Sequence, residues 1–233
     1  MAYLELKNVS YVYPNGYTAV EDVSMAFKEG EAVAIIGQNG AGKTTTVKLM
    51  NGLLRPSKGE ILVEGESTEN KTTASIARKV GYVFQNPDYQ IFQESIYKEI
   101  AYGLVKQKMS HEEVKRRALE AARLCGLEED LEEHPYNLPY SKRKFITIAA
   151  IVAMDPKVVI LDEPTAGQDR ASIQLLGDIV HKLAEKNKIV ITITHDMEFV
   201  VKYFKRVIVM AEKKVRRDGG PREIFWYEEL LRF

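Results

Sequence analysis

Ala32-Val33-Ala34-Ile35-Ile36-Gly37-Gln38-Asn39-Gly40-Ala41-Gly42-Lys43-Thr44 runs from a short apolar segment into a glycine-rich loop that ends in Lys-Thr. Behind it Val47, Met50 and Leu54 recur at helical spacing, so the order is strand, loop, helix. That context turns the spacing G-x-x-x-x-G-K-T into a phosphate cradle rather than a plain glycine-rich turn. Glycines let backbone N–H groups face inward around phosphate oxygens, where a Cβ would obstruct. The following helix points its positive end at the same phosphates. Lys43 would reach the β- and γ-phosphates of a nucleotide, and Thr44 would ligate Mg2+.

Outward from this loop the chain reads as an α/β protein. The N-terminal part is β-rich: Tyr3 to Val9 alternates in part, Ala19 to Phe27 more loosely, and Pro14-Asn15-Gly16 marks a turn between them. Ile61 to Val63 and Val80 to Phe84 are further short strands, and helices are expected between roughly residues 90 and 153. Ser110-His111-Glu112-Glu113 has the form of a reciprocal capping box. Val114, Ala118, Ala121, Ala122 and Cys125 follow at helical spacing, and Gly126 supplies the stop. In the last third Val158–Leu161 reads as a strand, Ile173, Leu176, Ile179 and Leu183 stripe a helix, and Ile189–Ile193 is a strand again. Strand, helix, strand at that spacing predicts a parallel sheet.

A second acidic site is expected to hold the metal and the attacking water. Val158 to Pro164 is a buried strand that ends in Asp162-Glu163. Side chains alternate along a strand, so the two carboxylates point different ways and take separate roles. Asp162 would bind Mg2+ through water, and Glu163 would polarise the nucleophile. A solvated acidic turn is the plain alternative.

Composition narrows the class. The chain has 233 residues with 33 Lys+Arg and 33 Asp+Glu, 45% hydrophobic and 28% charged, which describes a globular chain with a full core. The zero formal charge and a pI near 6.9 remove the usual electrostatic reason to bind nucleic acid. A lone Cys125 makes no internal disulfide and fits a reducing compartment. The longest apolar run, Ile148 to Met154, has seven residues, against the ~18 that a membrane span requires. The start MAYLELKNVS carries no apolar core of a signal peptide.

With these segments in place the chain resembles the ATP-binding subunits of ABC transporters over nearly its whole length. Tyr13, before Pro14, matches the aromatic that the family places under adenine. Gln85, after Val80–Phe84, matches the glutamine that contacts Mg2+ and water and reports to the membrane subunit. Ala166-Gly167-Gln168-Asp169 resembles the D-loop, with Gln168 where leucine is usual, and His195 matches the histidine that holds the γ-phosphate. His111, His134 and His181 have no such context and read as surface residues.

The resemblance implies a P-loop NTPase fold, with a RecA-like parallel core, an N-terminal antiparallel β part and a helical subdomain. Residues 1–233 would form one domain, with 1–86 and 154–233 as nucleotide-binding core and 87–153 as the helical, signature-bearing part. ATP would contact Tyr13, Asn39, Gly40, Ala41, Gly42, Lys43, Thr44 and Thr45. Thr44, Gln85 and Asp162 would hold Mg2+, and Glu163, His195 and Gln85 would serve the reaction.

Gly81 to Phe92, with Gln85-Asn86-Pro87-Asp88-Tyr89-Gln90, is similar to energy-coupling-factor ATPases, which energise uptake of vitamins and of cobalt or nickel ions. A capped loop leading into a helix is the plain alternative. The segment Gln85 to Phe92 is expected to form part of the groove that receives a membrane subunit, since Asp88, Gln90 and Phe92 show no packing period.

One departure is large. Where the family reads Leu-Ser-Gly-Gly-Gln, this chain has Leu138-Pro139-Tyr140-Ser141-Lys142, and Phe145 replaces a downstream arginine. Leu138 lies 24 residues before Asp162, as in the family. Pro139 lacks a hydroxyl and an N–H, Tyr140 and Ser141 carry side chains in place of glycines, and Lys142 offers partial electrostatic compensation.

Family subunits pair head to tail, so the resemblance implies a heterodimer whose partner ATPase brings an intact signature. It also implies a membrane-embedded coupling subunit and a substrate-binding membrane subunit, with this chain on the cytoplasmic face of the cell membrane. A regulatory subunit that binds ATP with negligible turnover is the alternative. Nucleic-acid-linked relatives are disfavoured by the neutral charge and by the lack of a long coiled coil or second cassette.

Overall fold

The computed structural model describes residues 2–225. The apolar helix start expected around Trp226 lies outside the described residues. Three strands open the chain: β1 (Leu4–Val12), β2 (Thr18–Phe27) and β3 (Ala32–Ile36). The β1–β2 turn closes where Pro14-Asn15-Gly16 predicts it. Gly16 adopts φ 83° and its N–H donates to Tyr13 O at 2.9 Å.

Helix α1 (Lys43–Met50) leads to β4 (Lys58–Val63), β5 (Glu66–Ser67), α2 (Thr73–Ala77) and β6 (Val80–Val83). Helix α1 stops earlier than its apolar spacing predicts. Asn51 caps it and Gly52 turns left-handed at φ 78°, so Leu54 is half-buried against the core from the loop beyond.

The middle of the chain is helical: α3 (Ile96–Lys106), α4 (His111–Leu124) and α5 (Tyr140–Ala153) pack against one another. The capping box before α4 forms only in half. Ser110 Oγ accepts the Glu113 N–H at 3.3 Å. The Glu113 carboxylate turns instead to Arg116 and Arg117, at 2.7 and 2.6 Å. Two guanidiniums one turn ahead outcompete a single backbone amide. Gly126 ends the helix as expected, with φ 67° and the Leu127 N–H returning to Ala122 O at 3.0 Å.

The chain continues through β7 (Val158–Asp162), α6 (Arg170–Glu185), β8 (Ile189–Ile193), α7 (Met197–Tyr203), β9 (Arg206–Ala211), β10 (Lys214–Gly219) and α8 (Pro221–Phe225). The expected pairing of β7 with β8 is parallel. Six strands form the main sheet in the order β10-β9-β3-β8-β7-β6, with only β10 antiparallel to its neighbour. A second, antiparallel sheet has the order β2-β1-β4-β5.

The main sheet divides two cores. Val33, Ile35, Val158, Ile160, Ile189 and Ile191 face the antiparallel sheet and α1. Ala34, Ile36, Val159, Leu161 and Val190 face the helical side. Strands buried on both faces read as unbroken apolar runs, which is why β7 and β8 are legible in the sequence. The carboxyl ends of β3, β6, β7 and β8 therefore meet along one edge, where open parallel sheets place ligands.

Candidate functional site

Gly37 leaves β3 at φ 147°, and a Cβ there would lie 2.0 Å from Met210 O. Gly42, at φ 98°, would bring a Cβ within 2.5 Å of Ala19 O. These two glycines are required by the close approach of neighbouring backbone, which fixes where the loop runs. Lys43, only 6% exposed, donates from Nζ to Gly37 O at 2.6 Å and to Gln38 O at 3.0 Å. Burial lowers its pKa, while Glu163 and then Asp162 pull it back up, so loop cation and carboxylates form one electrostatic unit.

Strand β7 ends at Asp162, so Glu163 lies just past it and strand alternation does not set its direction; the two carboxylates nevertheless meet different partners. Asp162 is 2% exposed; its Oδ2 accepts the Tyr82 hydroxyl at 2.7 Å, and its Oδ1 is buried without a partner. Glu163 follows with φ 47°, a conformation uncommon outside glycine and characteristic of functional sites. Its Oε1 lies 3.2 Å from His195 Nε2, and its Oε2 accepts the His195 N–H at 3.3 Å. Burial raises the pKa of Glu163, and His195 and Lys43 oppose that rise.

These elements enclose a cavity of about 550 Å3. Asn39 to Thr45 form its floor, and Tyr13, Gln85, Glu163 and His195 stand around it. Asp162 is not among its lining residues. Tyr13 is fixed edge-on to Tyr11 at 4.9 Å, with its hydroxyl 3.1 Å from Thr45 Oγ1. Tyr17, Thr165 and Asp196 also line the cavity and were not legible as site residues. They flank residues the sequence did mark: Tyr17 follows the Pro14-Asn15-Gly16 turn, Thr165 lies between Glu163 and Ala166, and Asp196 follows His195.

The residues present fit a nucleotide with a hard cation. Thr44, Gln85 and Asp162 offer oxygen donors, the set that suits Mg2+. The unpartnered Oδ1 of Asp162 leaves one buried acceptor for the metal's hydration shell. Among the described residues no group of three or more His, Cys, Asp or Glu could hold a metal by itself. Phosphate oxygens would therefore complete the coordination, as is usual for Mg2+.

The segment Leu138–Phe145 turns its side chains toward its own chain. Pro139 caps α5, with φ −56° and ψ 150°. Tyr140 Oη donates to Asn86 Oδ1 at 3.5 Å, and Gln168 Nε2 donates to Ser141 O at 3.2 Å. Lys142, half-exposed, pairs its ammonium with Asp130 at 3.0 Å. Arg143 binds Asp88 at 3.3 Å and the carbonyls of Leu138 and Tyr136 at 3.1 and 3.2 Å.

Lys144, only 1% exposed, donates to Phe84 O at 2.9 Å and also to Gln85 O. Burial pushes its pKa down to about 8. It holds the backbone that carries Gln85, and no motif marked it. Phe145 is buried in the helical core.

The loop after Gln85 divides its residues between packing and display. Gln90, expected in a partner groove, turns inward: its Oε1 accepts the Phe84 N–H at 2.8 Å and its Nε2 donates to Tyr82 O at 3.1 Å. The N–H groups of Phe92 and Gln93 both donate to the buried Glu99 carboxylate, at 2.9 and 2.8 Å. Tyr89 and Phe92 are left 80% and 61% exposed, and Phe92 meets Tyr102 edge-on at 4.7 Å. His111, His134 and His181 lie on the surface as expected. Among the described residues no helix is long and apolar enough to cross a membrane.

The profile of a family described as ABC transporter matches residues 20–166. The energy-coupling factor transporter ATP-binding protein EcfA of Methanocaldococcus jannaschii is 36% identical over 234 residues, covering all of this chain and 84% of that protein. The solved structure of cbiO1 from Clostridium perfringens, described as part of the ABC transporter complex cbiONQ, superposes with a TM-score of 0.89 at 33% identity. It covers 99% of this chain and 93% of that one.

A dimeric ATP-binding cassette bound to ADP and Pi, described as a post-hydrolysis state, superposes with a TM-score of 0.86 at 28% identity. It covers 94% of this chain and 99% of that one. Relatives differ in length. A protein of Caldanaerobacter subterraneus is 41% identical over 228 residues, 98% of this chain, yet the chain spans only 40% of its length.

Proposed function

The chain belongs to the ABC transporter family as an ATP-binding subunit, and from that footing we propose that it binds and hydrolyses ATP to drive an importer of the energy-coupling-factor type. Uptake of a vitamin or a transition-metal ion is the expected transport task. The observation that carries this reading is the single cavity that joins Tyr13, the Asn39–Thr45 loop, Gln85, Glu163 and His195. Its resemblance to EcfA and cbiO1 supports the importer type.

In the reaction, backbone N–H groups of the loop and the ammonium of Lys43 take the phosphate charge, which positions the γ-phosphate and stabilises the transition state. Glu163, raised in pKa by burial and aligned by its contacts to His195, orients the attacking water. Tyr13 stacks on adenine. Thr44, Gln85 and Asp162 would hold Mg2+, which would supply positive charge to offset that of the phosphates. The protein works from the cytoplasmic face of the membrane with a coupling subunit and a substrate-binding membrane subunit.

The two sites of the complex are unequal in this reading. A partner subunit with an intact signature completes the site on Lys43 and Thr44. The partner's own nucleotide meets Pro139, Tyr140 and Ser141 and lacks several donors. The test is steady-state hydrolysis by the heterodimer. Glu163→Gln abolishes most turnover, whereas the matching change in the partner costs little. Comparable losses, or a larger loss from the partner's change, overturn the asymmetry. Tight ATP binding with no turnover in the wild-type complex selects the regulatory alternative, which the engagement of residues 138–145 with their own chain favours.

A further inference from the structure

Tyr82 has no role assigned by the resemblance, yet it makes the hydrogen bond that the Asp162 carboxylate holds through Oδ2, at 2.7 Å. The strand register explains the contact. Tyr82 on β6 lies opposite Ile160 on β7, so Asp162, two residues further along, stands on the same sheet face. Such a diagonal neighbour is about 7–8 Å away between backbones, within reach of an aromatic side chain. The ring is buried, set edge-on to Phe84 at 4.8 Å, and the Tyr82 carbonyl is pinned by Gln90. Hydroxyl and carboxylate therefore meet through two fixed strands.

We propose that Tyr82 is a positioning residue for the cation: its hydroxyl occupies Oδ2 of Asp162 and so reserves Oδ1 for the metal's hydration shell. The proposal rests on the reading of Asp162 as the metal's carboxylate. The division between the two oxygens is what points to it. A carboxylate turns easily about its last torsion, which is broad and two-fold. A purely structural partner set would satisfy both oxygens, because leaving a buried acceptor unpaired is costly. Here one oxygen accepts the phenol and the other has no partner.

The test measures metal affinity apart from turnover. Mn2+ is titrated by electron paramagnetic resonance into the full chain carrying a non-hydrolysable ATP analogue. The variants are Tyr82→Phe, Asp162→Asn and the double substitution, and nucleotide affinity in EDTA serves as control. Outer-shell partners of a metal ligand typically contribute ~10- to 100-fold in affinity, so Tyr82→Phe is expected to weaken Mn2+ about 10-fold with metal-free nucleotide affinity retained. In the Asp162→Asn background the same change is expected to add little.

Unchanged Mn2+ affinity in Tyr82→Phe beside a weakened Asp162→Asn overturns the proposal and leaves the metal reading standing. Unchanged affinity in both overturns the metal reading and the proposal with it. Additive losses in the double variant also overturn it, because the two groups then act separately. If Tyr82→Phe folds poorly, Tyr82→Met fills a similar space without a hydroxyl and makes the same comparison.

Discussion

The loop Gly37–Thr45 and the segment Leu138–Phe145 are both helix N-termini placed to meet phosphate in this family, and they are built on opposite principles. The loop binds with backbone. Its glycines pass within hard contact of Met210 O and Ala19 O, so no side chain fits at Gly37 or Gly42. The segment uses side chains, and these are already engaged: Tyr140 to Asn86, Lys142 to Asp130, Arg143 to Asp88, Lys144 to the carbonyls of Phe84 and Gln85. A backbone cradle is locked by its surroundings and tolerates nothing. A side-chain surface can be tied to neighbours in its own chain while its helix remains intact, and that is what α5 shows.

The largest expected effect tests the locked side. Gly37→Ala places a Cβ 2.0 Å from Met210 O at a φ that side chains rarely adopt, so β9 must move away from β3. Overpacking of this kind costs about 1–3 kcal/mol, and the backbone strain adds about 1–3 more. Urea denaturation is expected to show that loss together with absence of nucleotide binding. A variant that keeps wild-type stability breaks the claim that the loop is held by contact.

Next in size is repair of the redirected side. Pro139→Ser, Tyr140→Gly, Ser141→Gly and Lys142→Gln together restore the family's donors opposite the partner's nucleotide. One missing donor of a developing charge costs ~10²–10³ in rate, so turnover at the partner's site is expected to rise by at least 10-fold. The readout is hydrolysis in a heterodimer already carrying Glu163→Gln. No gain means that the lost donors are not what distinguishes the sites.

A smaller effect belongs to Tyr13, whose ring is fixed by Tyr11 and Thr45. Base stacking on an aromatic contributes ~1–3 kcal/mol, so Tyr13→Ala is expected to weaken nucleotide affinity about 5-fold or more without loss of fold. Titration with a fluorescent nucleotide measures it. Unchanged affinity moves the adenine contact to another side chain, for which the neighbouring Tyr17 is the first candidate.

How much of this was legible in the sequence follows the same division. Fixed spacings that serve backbone geometry announce themselves: the strand into Gly37, the strand into Asp162-Glu163, and the parallel pair β7–β8 could be read from glycine positions and apolar runs. Side-chain roles settled by tertiary neighbours could not. Glu113 looked like half of a capping box until Arg116 and Arg117 claimed its carboxylate. Gln90 looked available to a partner and is spent on the backbone of Tyr82 and Phe84. Lys142 looked like a replacement charge for phosphate and faces Asp130. Tyr82 and Lys144 gave no signal, because a single polar residue in an apolar stretch does not reveal its partner. Strand β9 did have a signal, the apolar run Val207 to Met210, but its place beside β3 depends on long-range pairing.

The smallest expected effect on stability concerns the contact where the redirected segment meets the loop after Gln85. Arg143 bridges Asp88, the carbonyls of Leu138 and Tyr136, and the face of the Tyr136 ring at 4.7 Å. Removing Asp88 deletes one partly exposed ion pair and leaves Arg143 with its other partners. Such pairs are worth about 1 kcal/mol or less. For a chain of this size that corresponds to a shift in Tm of about 2–4 °C at most. The consequence for coupling is expected to exceed the consequence for stability. Asp88 stands in a short turn between Gln85, at the cavity, and the exposed Tyr89 and Phe92. If that turn receives a membrane subunit, Asp88→Ala separates hydrolysis from movement of the substrate. Transport in reconstituted vesicles should then fall further than ATP hydrolysis by the same preparation. Arg143→Ala, which also frees the two carbonyls, should lower melting temperature more than Asp88→Ala does. Equal loss of transport and hydrolysis in Asp88→Ala would assign the turn to the reaction or to folding, and the redirected segment would lose its place in coupling.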